Sequence, residues 1–595
     1  MSQAQLASAS TPTDLAAVPP AGRLLGRLRQ GPLTPRVAAL VIALWVAFTG
    51  NLSLWNSLRQ LAGVGEMGHR PLLLGLSILL AVFCATATLL TCFAGRRIFK
   101  PAMAVLLVLA GVVQHFMLAY GIVIDPGMVA NALQTNFTEA RDLFGFDLLA
   151  QCLLVAGPPM VWLWRLRLSP QRGWAAVWRN LAITVTLLAA TIGVTLSIYR
   201  ELAPLLRNHL ELRFAANPVA PLASTISAVT KPLRKHRNGP LVVMTAGAAL
   251  GPSYAAAGTA SHPPLFLLVV GETARADHFG LNGYARDTTP GLAQRDVVSF
   301  TQVRSCGTNT LHSVPCMFSP LGKAGWEGRK ADTENLLDVI QAAGLAVLWV
   351  DNQAGCKSVC DRVPNASTGT AFAPAADAAR ALCADGECLD RVMLAGLDER
   401  IAALPAERRA RGVVLVMHMM GSHGPAYWRR SAPDTKRFQP ECATQALAQC
   451  DQASLINVYD NSIAETDRFL SAAIDWLQAR HDRFAPAMLY LSDHGESLGE
   501  YGMFLHGVPY AFAPEVQKHV PMVLWIDPAF ASRGGTDRAC LNAHRDVALS
   551  HDNLYPSVLG LMDVTTPTYK PALDAFASCR ARATAFIKGG PAPKA

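Results

Sequence analysis

Two apolar runs beyond residue 260 end directly in residues able to hold a metal. Residues 265–271 run into Glu272 and Thr273, and residues 488–492 run into Asp493 and His494. Carboxylate and imidazole are ligand types that zinc takes, although an acid just after a strand also serves as a helix cap. Between these runs lies SCGTNTLHSVPCM, residues 305–317. Its pattern predicts a helix of about two turns opening at Thr310 and clipped by a Cys306–Cys316 bridge. A hydroxyl there would sit among free backbone N–H groups at the positive end of the helix dipole, a setting that favours an incoming phosphate. Read locally, the plainer role of Thr308 or Thr310 is to cap that helix. His418 and His423 stand in HMMGSHGPAYW after another apolar run, and His506 follows His494 by twelve residues. A lone loop histidine means little. Several on one sheet edge beside an Asp/His pair suit metal or proton-transfer work.

The elements that must position these groups follow from hydrophobic patterning. Residues 265–271, 345–351, 413–418, 488–492 and 522–526 read as buried strands separated by helical segments, which predicts an α/β domain with a mainly parallel sheet. In such sheets functional groups collect at the carboxyl ends of strands. No internal repeat is present. Of thirteen cysteines, ten pair by proximity as Cys306–Cys316, Cys356–Cys360, Cys383–Cys388, Cys442–Cys450 and, more distantly, Cys540–Cys579. No repeated C-x2-C spacing marks a zinc ribbon, and short disulfide loops suit an oxidising compartment. Cys84, Cys92 and Cys152 lie in apolar stretches, where a small buried thiol is the plain reading.

Half the chain (51%) is hydrophobic and mean hydropathy is +0.25, which directs attention to membrane segments. Apolar stretches at 37–56, 72–94, 101–124, 148–166 and 177–199 each approach the roughly 20 residues needed to cross a bilayer. Basic residues gather on alternate connections: Arg23, Arg27, Arg29 and Arg36; then Arg96, Arg97 and Lys100; then Arg165, Arg167, Arg172 and Arg179. Segments 57–71 and 125–147 are poorer in them. The positive-inside rule places the N-terminus in the cytoplasm, and five crossings deliver the α/β domain to the other side. The expected division is a tail (1–36), five membrane helices (37–199), a bridge (200–260) and a catalytic domain (261–595). Within the bridge, an amphipathic stretch from 201 to 214 precedes Lys231, Arg234, Lys235 and Arg237, which suit anionic headgroups or simply a solvated linker. The net charge of +9 is thus a matter of topology. Nucleic-acid binding is not expected, since no zinc ribbon, RNA-binding aromatic signature or basic tail accompanies it.

The segments GETARADHFGLNGYARDTTP (271–290), SCGTNTLHSVPCMFSPLG (305–322), DNQAGCKSVCDRVP (351–364), HMMGSHGPAYW (418–428) and SDHGESLGEYGMFLHGVPY (492–510) closely resemble the lipid A phosphoethanolamine transferases, which include the transferable colistin-resistance enzymes. The resemblance covers all but the first 30 or so residues. It implies an alkaline-phosphatase-like catalytic fold of the sulfatase superfamily. It also implies a zinc ion on Glu272, Thr310, Asp493 and His494, with Thr310 the nucleophile. His423 and His506 match positions that contact the transferred group or a second zinc, His418 is a further candidate, and Lys357 matches a substrate-contacting lysine. Asn131, Thr135 and Glu139 match substrate contacts near the membrane, and their i, i+4, i+8 spacing puts them on one helical face. The implied donor is phosphatidylethanolamine and the acceptor a lipid A phosphate. The implied setting is the Gram-negative inner membrane with a periplasmic catalytic domain, and the chain is expected to act as a monomer. An added amine would reduce surface negative charge and weaken binding of polymyxin-like peptides.

Other readings keep part of this scheme. The same chemistry could act on a core heptose or a periplasmic glucan, or the group moved could be phosphoglycerol, as in the lipoteichoic acid synthases. The GETARA and SCGTNT segments favour ethanolamine. A sulfatase lacks support without a C/S-x-P-x-R motif, and intact Glu272, Thr310, Asp493 and His494 argue against a catalytically dead scaffold.

Overall fold

The computed structural model describes residues 32–67, 70–94, 97–135, 137–169, 171, 173–235, 240–255, 262–368, 381–384 and 386–580. Arg23, Arg27, Arg29, Arg96, Arg172 and Arg237 lie outside these. Helices Pro71–Thr91, Phe99–Ala119, Phe146–Arg165 and Trp174–Ser197 are each long and apolar enough to cross a membrane. The expected first span is instead two helices, Pro35–Thr49 and Leu52–Gly63, bent by 49°. The break has a local cause. Asn51 donates to the Val46 and Asn217 carbonyls, and Asn217 donates through its amide to the carbonyls of Gly50 and Ala110, each at 2.8–2.9 Å. These bonds satisfy the backbone groups that a broken helix exposes.

Contacts between span ends sort the connections by side. Leu33 bridges Leu168, and Lys100 donates to the Trp164 and Leu166 carbonyls. The opposite ends meet the α/β domain: the Phe504 N–H donates to the Tyr120 carbonyl at 2.8 Å, and Gln449 donates to Asp147 at 3.0 Å. The stretch after the last span is helical rather than a plain linker, with helices Tyr199–Asn208 and Val219–Lys235 flanking a 3-10 turn. Of the three free cysteines only Cys84 is buried; Cys92 is exposed and Cys152 half-buried. A span whose outer face meets lipid has no need to cover them.

Eight strands form the central sheet of the α/β domain: β1 (Pro264–Gly271), β2 (Val297–Arg304), β3 (Ala346–Asp351), β4 (Asn365–Ser367), β5 (Val413–His418), β6 (Ala485–Ser492), β7 (His519–Ile526) and β8 (Leu549–Ser550). Their order is β8-β2-β7-β6-β1-β5-β3-β4, and only β7 runs antiparallel to its neighbours. Every side chain of β1 is buried because alternate residues feed different cores. Phe266, Leu268 and Val270 face one layer, with helices Leu336–Ala343 and Leu554–Leu561. Leu265, Leu267 and Val269 face the other, with the long helix Gln452–Gln478. All five cysteine pairs are disulfide-bonded, including Cys540–Cys579.

Candidate active site

The register of the sheet assembles the site. Gly271 of β1 lies opposite Ser492 of β6, so the next residues, Glu272 and Asp493, leave parallel strands side by side. Two further strand ends join them, because His418 of β5 is in register with Val270 and with Asp351 of β3. The backbone then turns sharply at Thr273, whose φ of 54° is left-handed and costly for a β-branched residue. Bonds on both sides hold it there: the Tyr459 hydroxyl donates to the Thr273 carbonyl at 2.7 Å, and the Ala274 N–H donates to Ser492 at 2.9 Å. Gly421, with φ 51°, lets the HMMGSHG loop pass over this turn; a Cβ there would stand 2.6 Å from the Glu272 carbonyl.

Thr310 arrives from the other side. It is the first residue of helix Thr310–Met317, and the cap is Asn309, whose side chain accepts from the His312 N–H at 3.0 Å. Neither threonine is therefore the cap. Thr308 donates to the Val508 carbonyl at 2.6 Å. The Thr310 hydroxyl lies 3.1 and 3.0 Å from the two Glu272 oxygens and 3.4 Å from His494 Nε2. The Cys306–Cys316 bridge and a bond from Ser313 to the Asp493 carbonyl fix the helix to the sheet edge.

Two overlapping groups of ligand atoms result, each with its atoms within 4.8 Å of one another: Glu272, Asp493 and His494, and Glu272, His423 and His506. Glu272 belongs to both. Glu272, Asp493 and His494 are wholly buried, and Asp493 Oδ2, His418 Nε2 and His423 Nδ1 are buried without a hydrogen-bond partner. Buried polar atoms are nearly always bonded, so orphaned atoms around two carboxylates fit a cation. Oxygen from Glu272, Asp493 and Thr310 with nitrogen from His494 is a set zinc accepts.

The electrostatics agree. Burial works to raise the Glu272 carboxyl, but the hydrogen bond and charge of His494 outweigh it and hold it at about 2. Burial and the charge of Glu272 push Asp493 up to about 6. Burial would neutralise His494, yet Asp493 and Glu272 carry it up to about 10. His423, buried and beside His506 and Arg430, is pushed down to about 3 and is neutral. One imidazolium between two carboxylates leaves excess negative charge in a dry pocket, which a divalent ion would offset.

His506 and His418 are held by acids. His506 Nδ1 lies 2.8 Å from Glu496, which in turn accepts from the Tyr427 hydroxyl. His418 Nδ1 lies 3.2 Å from Asp351, and its Nε2 is 4.0 Å from Glu272. His551 Nε2 donates to the Ser492 carbonyl at 3.0 Å, and its Nδ1 accepts from the Cys306 N–H at 3.1 Å. Asp351 ends a strand just as Glu272 does, and Glu496 follows His494 by two residues, so both carried a readable signal. His551 carried none.

The expected substrate contacts are arranged differently from the cluster. Lys357 donates to the Ala354 carbonyl of its own loop. Asn131, Thr135 and Glu139 do not share one helix. Helix Pro126–Ala132 ends before Thr135, whose hydroxyl takes the Asn131 carbonyl at 3.1 Å, and Glu139 lies on a second helix, Phe137–Asp142. Threonine is a residue type that competes for helical hydrogen bonds.

Comparison with known proteins gives the same architecture. Residues 82–233 match the family model for phosphoethanolamine transferase EptA/EptB, and residues 264–564 match that for sulfatase. The chain is 34% identical to phosphoethanolamine transferase EptA of Salmonella typhimurium over 566 residues, covering 94% of this chain and 99% of that one. It is 35% identical to phosphatidylethanolamine transferase Mcr-1 of Escherichia coli over 544 residues, covering 90% and 96%. The integral membrane protein lipooligosaccharide phosphoethanolamine transferase A from Neisseria meningitidis superposes with a TM-score of 0.82 at 31% identity, covering 92% of this chain and all of that one.

Proposed function

The chain belongs to the phosphoethanolamine transferases, and from that premise we propose that it moves phosphoethanolamine from phosphatidylethanolamine to a lipid A phosphate through a covalent Thr310 intermediate. The observation that carries this reading is the Thr310 hydroxyl, at a helix N-terminus and 3.0 Å from a Glu272 carboxylate shared by two ligand groups. Glu272, Thr310, Asp493 and His494 would hold one zinc, and His423 and His506 with Glu272 leave room for a second. Zinc bound there would lower the pKa of the hydroxyl and offset charge on the phosphoryl oxygens.

The protein groups then divide the work. Thr310 Oγ attacks phosphorus in line, its proton passing to a neighbouring base, and the bond to diacylglycerol breaks. Diacylglycerol leaves with a proton, and phosphoethanolamine stays on Thr310. A lipid A phosphate oxygen next attacks the same phosphorus, the Thr310–phosphorus bond breaks, and Thr310 regains its proton. His423 and His506 are the groups placed to carry protons, His506 being aimed by Glu496. The free N–H groups of the Thr310 helix favour the phosphoryl oxygens. Lys357, Asn131, Thr135 and Glu139 are assigned to the lipid headgroups.

Both lipids keep their tails in the bilayer, so a catalytic domain seated on membrane helices is what the chemistry requires. The basic span ends point to the cytoplasm and the catalytic domain to the periplasm. A new amine on lipid A would lower its negative charge and favour resistance to polymyxin. Mass spectrometry of lipid A from cells with and without the protein tests the acceptor. Lipid A is expected to gain a phosphoethanolamine group; unchanged lipid A beside modified core sugar would move the reading to a heptose acceptor.

A further inference from the structure

His506 is aimed through its ring, by Glu496. His423 has no such grip, for its buried Nδ1 has no hydrogen-bond partner. Its ring meets the His506 ring edge-on, centroids 5.2 Å apart, and the rest of its aim comes from its backbone, whose N–H donates to the Met420 carbonyl at 3.3 Å and whose carbonyl accepts from Arg430 Nε at 2.9 Å. Arg430 is itself only 4% exposed, and a buried guanidinium requires acids. It finds two, donating to Glu387 at 2.8 Å and to Asp142 at 3.0 Å. Arg429 also donates to Asp142, at 3.0 Å, so two cations meet two anions.

The two acids come from different parts of the molecule. Glu387 belongs to the catalytic fold. Asp142, 1% exposed, ends helix Phe137–Asp142 in the connection between spans Phe99–Ala119 and Phe146–Arg165. Glu272, Thr310, Asp493 and His494, by contrast, are held to one another by bonds made within the catalytic fold. One half of the site is thus bonded together within the catalytic fold, and in the other half the His423 backbone is tied to the membrane part through the Arg430 guanidinium.

We infer that Arg430 is a positioning residue that sets His423 for the transfer reaction while Asp142 of the membrane connection grips its guanidinium. The inference rests on the reading that His423 serves the transfer. Seating of the catalytic domain on the spans then completes the histidine half of the site, and Thr310 and its ligand set are already formed without it. A catalytic domain lifted off its seat keeps its nucleophile but loses the aim of His423. That arrangement confines full activity to the bilayer, where both lipids are.

The test uses the full-length protein in phosphatidylethanolamine nanodiscs with lipid A as acceptor. Hydrogen exchange of the 419–430 segment reads the tie without any turnover, and D142N is expected to speed it about tenfold or more. In the same variant kcat should fall about tenfold or more, with KM for phosphatidylethanolamine and zinc content within about twofold of wild type. D142E should recover most of the loss. R429Q, which strips a cation from Asp142 without touching the His423 carbonyl, should stay near wild type. If D142N yields no folded protein, E387Q removes the other acid from the same guanidinium and decides the question by the same exchange measurement. Wild-type exchange over 419–430 in the folded variant overturns the inference, as does a loss of kcat that tracks loss of thermal stability or of zinc. Absence of transfer by the wild type would defeat the proposed function and leave the exchange result to decide this one.

Discussion

Thr308 gives its hydroxyl to the Val508 carbonyl, and Thr310 turns its own toward Glu272. Their substitutions should separate accordingly. Thr308→Ala leaves a buried carbonyl unpaired and is expected to cost about 1–3 kcal/mol of stability, with phosphoethanolamine transfer retained; chemical denaturation beside an activity assay checks this. Thr310→Ser keeps a hydroxyl in place and should retain part of the activity. Glu272→Gln removes a charge from both ligand groups, so zinc content and transfer should fall together, transfer by about 10³-fold or more. A Glu272→Gln protein with full zinc and wild-type turnover would remove Glu272 from the site. The pH dependence has a definite sign. In the metal-free protein His494 is carried up to about 10 and Asp493 to about 6, so at pH 7 His494 holds a proton that zinc must displace. Apparent zinc affinity should therefore rise with pH between about 6 and 10, near tenfold per unit, with about one proton released per ion at neutral pH. Calorimetry in buffers of different ionisation enthalpy measures that proton, and no release would contradict the assignment.

At the scale of elements, the site is made by strand ends meeting in register. That much was readable: apolar runs ending in Glu272, His418 and Asp493–His494 announced it, because a buried parallel strand is nearly continuous in apolar residues. β2 was not read as a strand, since Val297–Arg304 mixes polar and apolar residues and its burial is uneven. Two helical stretches are broken where periodicity alone predicts continuity, and each time polar side chains are the reason. Asn51 and Asn217 stabilise the break in the first span, and Thr135 takes the carbonyl that would have continued the substrate-loop helix. Such bonds depend on partners distant in sequence or on a local contest that periodicity does not record. The choice of Thr310 over Thr308 was of this kind too; local sequence favoured a cap, and only the motif resemblance pointed to a nucleophile. Close packing around the turn gives a further prediction. Gly421→Ala places a methyl 2.6 Å from the Glu272 carbonyl at a left-handed backbone position, and should lower zinc occupancy and stability together, by about 1–3 kcal/mol in the latter. Unchanged zinc and stability would show that the loop does not set Glu272.

For the whole molecule, the arrangement joins helices long and apolar enough to cross a membrane to a site buried in a sulfatase-like α/β domain. The span ends that carry Leu33, Lys100 and Leu168 meet on one side, and the catalytic domain meets the other. Every step of the proposed transfer passes through the covalent Thr310 adduct. Purified protein incubated with phosphatidylethanolamine and no acceptor should be weighed intact, with Thr310→Ala as the blank. Wild type is expected to gain one phosphoethanolamine group, removed again on addition of lipid A, and Thr310→Ala should gain none. A zinc-loaded wild type that never acquires the adduct, or a Thr310→Ala protein that acquires it equally, would contradict the account.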